Sequence, residues 1–167
     1  NISDEVKHEK GYTNVALFGL DSRENDLGKG NRSDTIIIAS LNNDTKEVKL
    51  VSIYRDTLLE LDDGSYNKAN SAYSFGGPEG AGSLINRNLD MNIEKYVTVN
   101  FNALVDVIDA VGGLDLELTH DEVVHMNNYC VETSKVTGKS YEKIEPEVEG
   151  TYHLNGVQAV SYSRIRY

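Results

Sequence analysis

The sequence predicts a mixed α/β sandwich, and three observations lead to that prediction. Its 167 residues fit one domain with a sizeable core. Ile36, Ile37 and Ile38 form a run that is apolar on both faces, which is typical of a strand inside a covered sheet. Strand-like and helix-like segments then alternate along the chain, with a short turn between two of the strands. A sheet that mixes hairpin pairing with helical connections follows from that order.

The first part of the chain is predicted to contain a flexible segment and three strands. Residues 1–11 are rich in charge and are expected to be flexible, whereas residues 12–167 are expected to form one domain. The predicted strands cover residues 14–20, 34–41 and 47–53. Asn42-Asn43-Asp44 is a typical turn sequence. The second and third strands are therefore expected to form a hairpin.

The rest of the chain alternates between helical and extended patterns. Pro78 follows two glycines and is suited to the first turn of a helix. Asn102 is suited to cap a second helix, whose apolar residues recur every three or four positions. Strands are predicted over residues 96–99 and 114–118, and a last helix over residues 155–162. Residues 120–150 are polar and poorly patterned, so a mobile excursion is expected there.

The composition excludes several classes of protein. Asp and Glu number 27 against 16 Lys and Arg, which gives a formal net charge of -11. Nucleic-acid binding requires a basic surface, so we expect no nucleic-acid partner. Cys130 is the single cysteine, which excludes an internal disulfide and a cysteine metal site. No apolar run approaches the length of a membrane span.

Aspartates and arginines lie next to each of the three predicted strands. Arg32 and Asp34 are found where the second strand begins. Arg55 and Asp56 follow the third strand, so a hairpin brings both pairs to one edge of the sheet. Asp21 joins them if the first strand runs parallel to the third. Arginine suits bidentate phosphate binding and aspartate suits a cation, which indicates a phosphate and metal site; a structural ion pair is the alternative.

Three further basic residues are candidates for the same site. Lys68 is a candidate to point into the site, although a surface lysine is the default expectation. Arg164 and Arg166 form an Arg-x-Arg motif near the end of the chain. Two neighbouring guanidinium groups are well suited to a pyrophosphate.

Seven segments, in order along nearly the whole chain, resemble the LytR-CpsA-Psr (LCP) family. They are ALFGLDSR (16–23), RSDTIIIA (32–39), VSIYRDT (51–57), KANSAY (68–73) with GGP (76–78), YVTVNF (96–101), VGGLD (111–115), and LNGVQA (154–159) leading to Arg164-Ile165-Arg166. Tyr54 stands where the family more often has proline. No single segment is decisive, but the ordered set is specific.

The resemblance implies an α-β-α sandwich with a mixed central sheet flanked by helices. It implies a transferase that moves a glycopolymer (teichoic acid or capsular polysaccharide) from a polyprenyl-pyrophosphate carrier to peptidoglycan, with Mg²⁺ or Mn²⁺ as cofactor. It also implies the extracellular, cell-wall side of a Gram-positive-type membrane, with an N-terminal anchor outside this chain. Family members usually continue into another Arg/Gln-bearing stretch and a closing helix. The domain is therefore expected to be truncated at its C-terminus, with the remainder a separate chain or missing.

The resemblance also implies roles for individual residues. The positions that match the family's magnesium-binding aspartates are Asp21 and Asp34. Those that match its pyrophosphate-binding arginines are Arg32, Arg55, Arg164 and Arg166. Lys68 is a further candidate for substrate binding. Asp34 or Asp56 is the candidate base for the acceptor hydroxyl, and the sequence does not choose between them.

Two alternative functions remain open from the sequence. The same pocket would serve a polyprenyl-pyrophosphate pyrophosphatase that uses water as its acceptor. A non-enzymatic lipid-binding regulator is the other alternative. A transfer assay compared with a hydrolysis assay separates the first two functions, and the net charge of -11 opposes a DNA-binding regulator.

Overall fold

The computed structural model describes residues 11–20 and 27–166. Contacts gather the chain into two compact units, which we call unit 1 (Asn1–Asn100) and unit 2 (Phe101–Tyr167). The predicted flexible segment at residues 1–11 lies outside the described residues except for Gly11. No helix in the described ranges is both long and apolar enough to cross a membrane.

Unit 1 combines strands with one long helix. The elements are β1 (Tyr12–Leu20), β2 (Ser33–Asn42), β3 (Val48–Ser52), β4 (Leu58–Glu60), β5 (Tyr66–Lys68), α1 (Ala69–Leu89) and β6 (Lys95–Val99). The larger sheet has the order β3-β2-β1-β6, and β4 and β5 form a separate hairpin. β2 is antiparallel to both β1 and β3, whereas β6 is parallel to β1. The predicted hairpin and the predicted mixed sheet are therefore confirmed.

One face of this sheet packs against α1. Phe18 and Ile36 are register partners and are almost fully buried, as is Tyr73 of the helix. The rings of Phe18 and Tyr73 meet edge to face, with centroids 5.4 Å apart. Burying one such side chain contributes about 1.5–3 kcal/mol. This alternation of buried and less buried residues holds β1 and β2 in a single register, because a slip of one residue would expose the whole set.

The helix α1 begins earlier than the sequence predicts and is interrupted once. It starts at Ala69, whereas the sequence indicates a helix only from Pro78. Gly77 interrupts it with φ 65° and ψ −157°, a conformation that favours glycine. Lys68 stands at the N-cap and no side chain caps this end. The usual Ser, Thr, Asp or Asn signal for a helix start is therefore missing from the sequence.

Unit 2 contains three helices and a pair of strands within its described residues. The elements are α2 (Phe101–Ala110), β7 (Leu114–Leu118), α3 (His120–Thr137), β8 (Gly150–Leu154) and α4 (Gly156–Ser163). β7 and β8 pair antiparallel. A second core of Val105, Leu118, Met126, Leu154 and Val160 lies within this unit.

The prediction of a mobile excursion over residues 120–150 is wrong. Residues His120–Thr137 form a helix whose buried positions include Val123, Met126 and Cys130. Thr119 and Glu122 form a capping box at its start. The Thr-x-x-Glu pattern could have indicated the start of this helix from the sequence. The helix was still not predicted, because its amphipathic pattern is weak.

Candidate functional site

A β-bulge determines where Asp34 lies. Gly19 is the partner of Thr35, and Leu20 is the partner of Ser33, so Asp34 has no partner on β1. A bulge of this kind leaves one residue outside the ladder and redirects its side chain. Asp34 is exposed, whereas the neighbouring Ser33 is fully buried. The carboxylate is thus presented at the edge of the sheet by a rigid backbone.

The hairpin formed by β2 and β3 brings Arg55 to the Asp34 carboxylate. Arg55 Nη1 donates to Asp34 Oδ1 at 2.6 Å. Arg55 Nε lies 3.5 Å from Asp56 Oδ2, and Lys68 Nζ donates to Asp56 Oδ1 at 2.6 Å. The predicted gathering of Asp34, Arg55 and Asp56 is confirmed, and Lys68 joins it. We call these four residues the charge cluster.

Contacts within the charge cluster favour the ionised forms of Arg55 and Asp56. The hydrogen bond from Arg55 to Asp34, with the charge of Asp34, raises the pKa of the Arg55 guanidinium. The hydrogen bond from Lys68 lowers the pKa of the Asp56 carboxyl. The side chains of Arg55 and Asp34 are 50% and 40% exposed, so their ion pair contributes little to folding. The guanidinium of Arg55 remains accessible to a ligand from solvent.

The backbone around Arg55 is tied to the start of α1. Asn70 N donates to the Arg55 carbonyl at 3.1 Å, and Ala69 N donates to the Thr57 carbonyl at 2.8 Å. The charge cluster therefore lies beside a helix N-terminus, where the peptide dipoles favour an anion. Sequence reasoning missed this contribution, because the start of α1 has no capping signal.

Arg32 and Ser33 lie on the same strand end. Arg32 is exposed and forms no ion pair with residues 11–20 or 27–166. Ser33 Oγ is buried and has no hydrogen-bond partner among those residues. Arg32 and Ser33 are thus adjacent in sequence to Asp34, but no hydrogen bond or ion pair within the described ranges joins either of them to the charge cluster.

A metal ion can be tested against the residues at this edge. Asp21 lies outside the described residues. No three His, Cys, Asp or Glu side chains within residues 11–20 and 27–166 come close enough to hold a metal ion. Asp34 Oδ1 accepts the hydrogen bond from Arg55, which leaves Oδ2 as the oxygen that a metal ion could use. A site with few carboxylates fits Mg²⁺, which is commonly held by one or two carboxylates together with phosphate oxygens and water.

Arg164 and Arg166 are held by contacts within unit 2. Arg164 Nη2 donates to Glu132 Oε2 at 2.9 Å, and its guanidinium lies over the rings of Phe101 and Tyr129, at 5.5 and 5.2 Å from their centroids. Arg166 is exposed and donates to the carbonyls of Ser163 and Ile165. Their assignment to pyrophosphate binding stays a prediction.

Comparison with known proteins identifies the family. The LytR_cpsA_psr family model matches residues 1–167. The chain belongs to this family. The resemblance inferred from the seven sequence segments is therefore confirmed.

Two relatives that match nearly the whole chain are named as transferases. The polyisoprenyl-teichoic acid–peptidoglycan teichoic acid transferase TagU of Bacillus cereus is 33% identical over 171 residues, with 99% of this chain and 48% of TagU covered. TagV of Bacillus subtilis, which has the same descriptive name, is 37% identical over 170 residues, with 99% of this chain and 40% of TagV covered. The chain thus spans about half the length or less of the curated relatives that it matches.

Solved structures of LytR_cpsA_psr family proteins have the same fold. TagT with bound octaprenyl pyrophosphate lipid matches with a TM-score of 0.68 and 26% identity, over 94% of this chain and 58% of TagT. Bacillus subtilis TagV matches with a TM-score of 0.65 and 31% identity, over 95% of this chain and 57% of TagV. The mixed α/β fold of the family is confirmed for this chain.

Proposed function

We propose that this chain forms part of a phosphotransferase that attaches a glycopolymer to peptidoglycan. The glycopolymer, a teichoic acid or capsular polysaccharide, would be delivered on a polyprenyl-pyrophosphate carrier. The charge cluster is the observation that supports this proposal most strongly: it combines arginine, lysine and carboxylate groups at a sheet edge beside a helix N-terminus. The lipid pyrophosphate bound to TagT, and the names of TagU and TagV, support the choice of substrate.

The proposed reaction is a transfer between two oxygen atoms at phosphorus. An acceptor hydroxyl of peptidoglycan attacks the phosphorus that bears the glycopolymer. A new O–P bond forms, the bond to the bridging pyrophosphate oxygen breaks, and prenyl phosphate leaves. The product is a phosphodiester. The proton of the acceptor hydroxyl passes to Asp34 or Asp56, both of which are accessible carboxylates in the charge cluster.

Arginine and lysine side chains supply most of the stabilisation in this proposal. Arg32 and Arg55 bind the pyrophosphate oxygens, and Lys68 and the N-terminus of α1 add positive potential. Arg164 and Arg166 are included as further pyrophosphate ligands on the basis of their positions in the family motif. Phosphoryl transfer depends chiefly on positioning and on neutralising charge, which these groups provide.

A divalent metal is included in the proposal. Asp21 and Asp34 would hold Mg²⁺ or Mn²⁺, and the buried Ser33 hydroxyl beside Asp34 is an additional oxygen without a partner in the described part of the chain. When bound, the ion would neutralise charge on the phosphate oxygens. The proposed location is the extracellular, cell-wall side of the membrane, with an anchor outside this chain, as the family resemblance implies.

Substitutions at the charge cluster test the proposal in the full-length protein. We expect Arg55→Ala and Arg32→Ala each to lower glycopolymer transfer by about a hundredfold, because each removes a donor to the developing charge. Lys49→Ala is the matched control, since Lys49 is an exposed cation on β3 outside the charge cluster. Transfer is measured with a lipid-linked glycopolymer and peptidoglycan.

The products of that assay also separate the alternatives. Prenyl phosphate released without polymer on peptidoglycan would identify a pyrophosphatase instead. Lipid binding without any turnover would identify a lipid-binding regulator. Wild-type levels of transfer in both arginine variants would contradict the proposed phosphate site.

A further inference from the structure

A cavity in unit 1 lies apart from the charge cluster. It has a volume of about 520 Å³ and lies between the β4–β5 hairpin and α1. Pockets that hold small ligands typically have volumes of about 300–1,000 Å³. The proposed function needs phosphate, lipid and sugar sites, and the roles assigned above leave this cavity unused. We call it the hairpin cavity.

The floor and one side of the hairpin cavity are apolar. Leu61, Ala72 and Leu84 line the floor and are buried in the core of unit 1. Phe75 also lines the cavity, and 64% of its surface is exposed. An exposed aromatic ring beside a cavity is a flat apolar surface on which a ligand can stack.

The hairpin cavity also has polar lining residues. Asp62 Oδ1 accepts from Ser83 Oγ at 2.7 Å, and Asp63 Oδ1 accepts from Ser65 N and Oγ at 2.9 and 2.6 Å. Arg87 Nη2 also lies 3.4 Å from Asp62 Oδ1. Both carboxylates are exposed, so their oxygens can accept further hydrogen bonds from a ligand.

Asn67 adds a donor to the polar lining. Its Oδ1 accepts from Lys68 N at 2.8 Å and from Ser71 Oγ at 3.1 Å. The Asn67 side chain is fixed by these bonds, and its Nδ2 has no partner in the described part of the chain. The lining of the hairpin cavity therefore combines acceptors and a donor with an aromatic ring.

The charges at the hairpin cavity select against two kinds of ligand. Arg87 offsets the charge of Asp62, so Asp63 is the carboxylate that disfavours a phosphate. Hydrogen bonds from Ser65 lower the pKa of the Asp63 carboxyl. A prenyl chain would remove water from these carboxylates without replacing their hydrogen bonds, which is unfavourable. A pyranose ring has one apolar C–H face and an edge of hydroxyl groups, and it matches the apolar and the polar lining of the cavity.

The hairpin cavity is adjacent in sequence to the charge cluster. Asn67 lines the cavity, and Lys68 belongs to the charge cluster, with Cα atoms about 3.8 Å apart across one peptide. Successive residues of a strand point to opposite faces, so Asn67 and Lys68 face different sides of β5. A ring bound in the cavity would thus be a ring other than the one that reacts at the phosphate site.

We propose that the hairpin cavity binds a neutral pyranose unit of the glycan handled by this protein, an inference that rests on the proposed function. Phe75 stacks on the C–H face of the ring, while Asp62, Asp63 and Asn67 bond to its hydroxyl groups. The same chemistry is present in the peptidoglycan acceptor and in the sugar part of the lipid-linked polymer.

Binding of soluble sugars to the 167-residue chain tests this inference. Chitotriose and maltotriose are the probes, and calorimetry and ¹⁵N chemical shifts are the measurements. We expect binding of at least one trisaccharide, with shifts at Ser65, Asn67 and Phe75. Phe75→Ala should weaken that binding by about tenfold, since the stacking surface is lost.

Two glycines provide a matched pair of further variants. Gly76 lines the hairpin cavity, and a Cβ added there meets no atom within 4 Å, so we expect the longer side chain of Gly76→Leu to occupy part of the cavity. Gly82 lies on the same helix, is equally open and does not line the cavity. We expect Gly76→Leu to abolish sugar binding and Gly82→Leu to leave it within about twofold of wild type.

Inorganic pyrophosphate is titrated into the same samples as a separate arm. If sugar binding is absent, or is unchanged in Gly76→Leu, the inference is overturned. The proposed function would still stand if the wild-type chain binds pyrophosphate and Arg55→Ala does not. Displacement of the sugar by octaprenyl phosphate would assign the cavity to lipid and also overturn the inference. In full-length protein, a raised KM of Phe75→Ala for peptidoglycan identifies the acceptor as the source, and a raised KM for the lipid-linked polymer identifies the donor.

Discussion

Arg55 illustrates how a charged, half-exposed residue is held in place by its backbone. Its side chain is half exposed, and its bond to Asp34 is short. An ion pair in solvent contributes little to folding, because the two charges exchange one set of favourable contacts with water for another. The backbone carbonyl of Arg55, in contrast, accepts a hydrogen bond from Asn70 and fixes the residue to α1.

Gly156 gives a prediction at the same scale. An added Cβ would collide with the Val105 carbonyl, which is backbone and cannot move aside. We expect Gly156→Ala to lower the free energy of unfolding by about 2–3 kcal/mol, because overpacking forces α4 away from α2. Urea denaturation measures the change.

Gly82→Ala is the control for Gly156→Ala. Gly82 is inside α1 and has open space around it, so alanine should raise the free energy of unfolding by about 0.5–1 kcal/mol through helix propensity. If both variants changed stability in the same direction, the close approach at Gly156 would be refuted.

At the scale of elements, β7 and β8 are joined by a titratable pair. Asp115 and His153 are register partners, and His153 Nδ1 lies 2.7 Å from Asp115 Oδ1. The hydrogen bond with Asp115, followed by one with the Gly112 backbone, raises the pKa of His153 above its usual 6.5. The His153 imidazole therefore binds a proton more tightly in the folded chain than in the unfolded chain.

The sign of the resulting pH dependence follows from linkage. A raised pKa contributes stability that is fully present below about pH 6.5 and is lost as the pH rises through the folded-state pKa. We expect a double-mutant cycle of Asp115→Asn and His153→Asn to give favourable coupling at about pH 5.5 and none at about pH 9. Thermal unfolding at the two pH values is the measurement.

Glu117→Gln is the matched control, because Glu117 is an exposed carboxylate on the same strand, two residues from Asp115. It should show no pH-dependent coupling with His153→Asn. Coupling that persists unchanged at high pH would mean that protonation of His153 is not involved.

At the scale of the whole molecule, the charge balance is unfavourable to compact folding. A net charge of -11 on 167 residues produces self-repulsion that is relieved on unfolding. We expect the midpoint of thermal unfolding to rise between about 20 and 300 mM NaCl, where the Debye length falls from about 20 Å to below 8 Å. Differential scanning calorimetry measures this change.

Screening depends on ionic strength and not on the identity of a monovalent ion, so KCl should give the same curve as NaCl. A midpoint that falls with added salt would show instead that attractive ion pairs, such as the pair of Arg87 with Glu60, outweigh the net repulsion.

Most of the sheet was predictable from local patterns, and the helices were less so. The apolar runs of β1 and β2, with a turn before β3, were sufficient for the hairpin and for the meeting of Asp34 with Arg55. The α3 helix was missed, because its buried residues make only a weak stripe between polar neighbours. The early start of α1 was missed because Lys68 is not a capping residue.

The sequence by itself determined the family, the hairpin of β2 and β3 and the meeting of Asp34 with Arg55. The family follows from seven ordered segments, and the hairpin follows from local apolar runs and a turn. Only the tertiary structure decided the bulge that redirects Asp34, the helix N-terminus behind Arg55 and the hairpin cavity lined by Phe75. Each of these depends on contacts between segments distant in sequence, and a bulge or a cavity is set by the way their backbones meet and not by the residues of either segment alone.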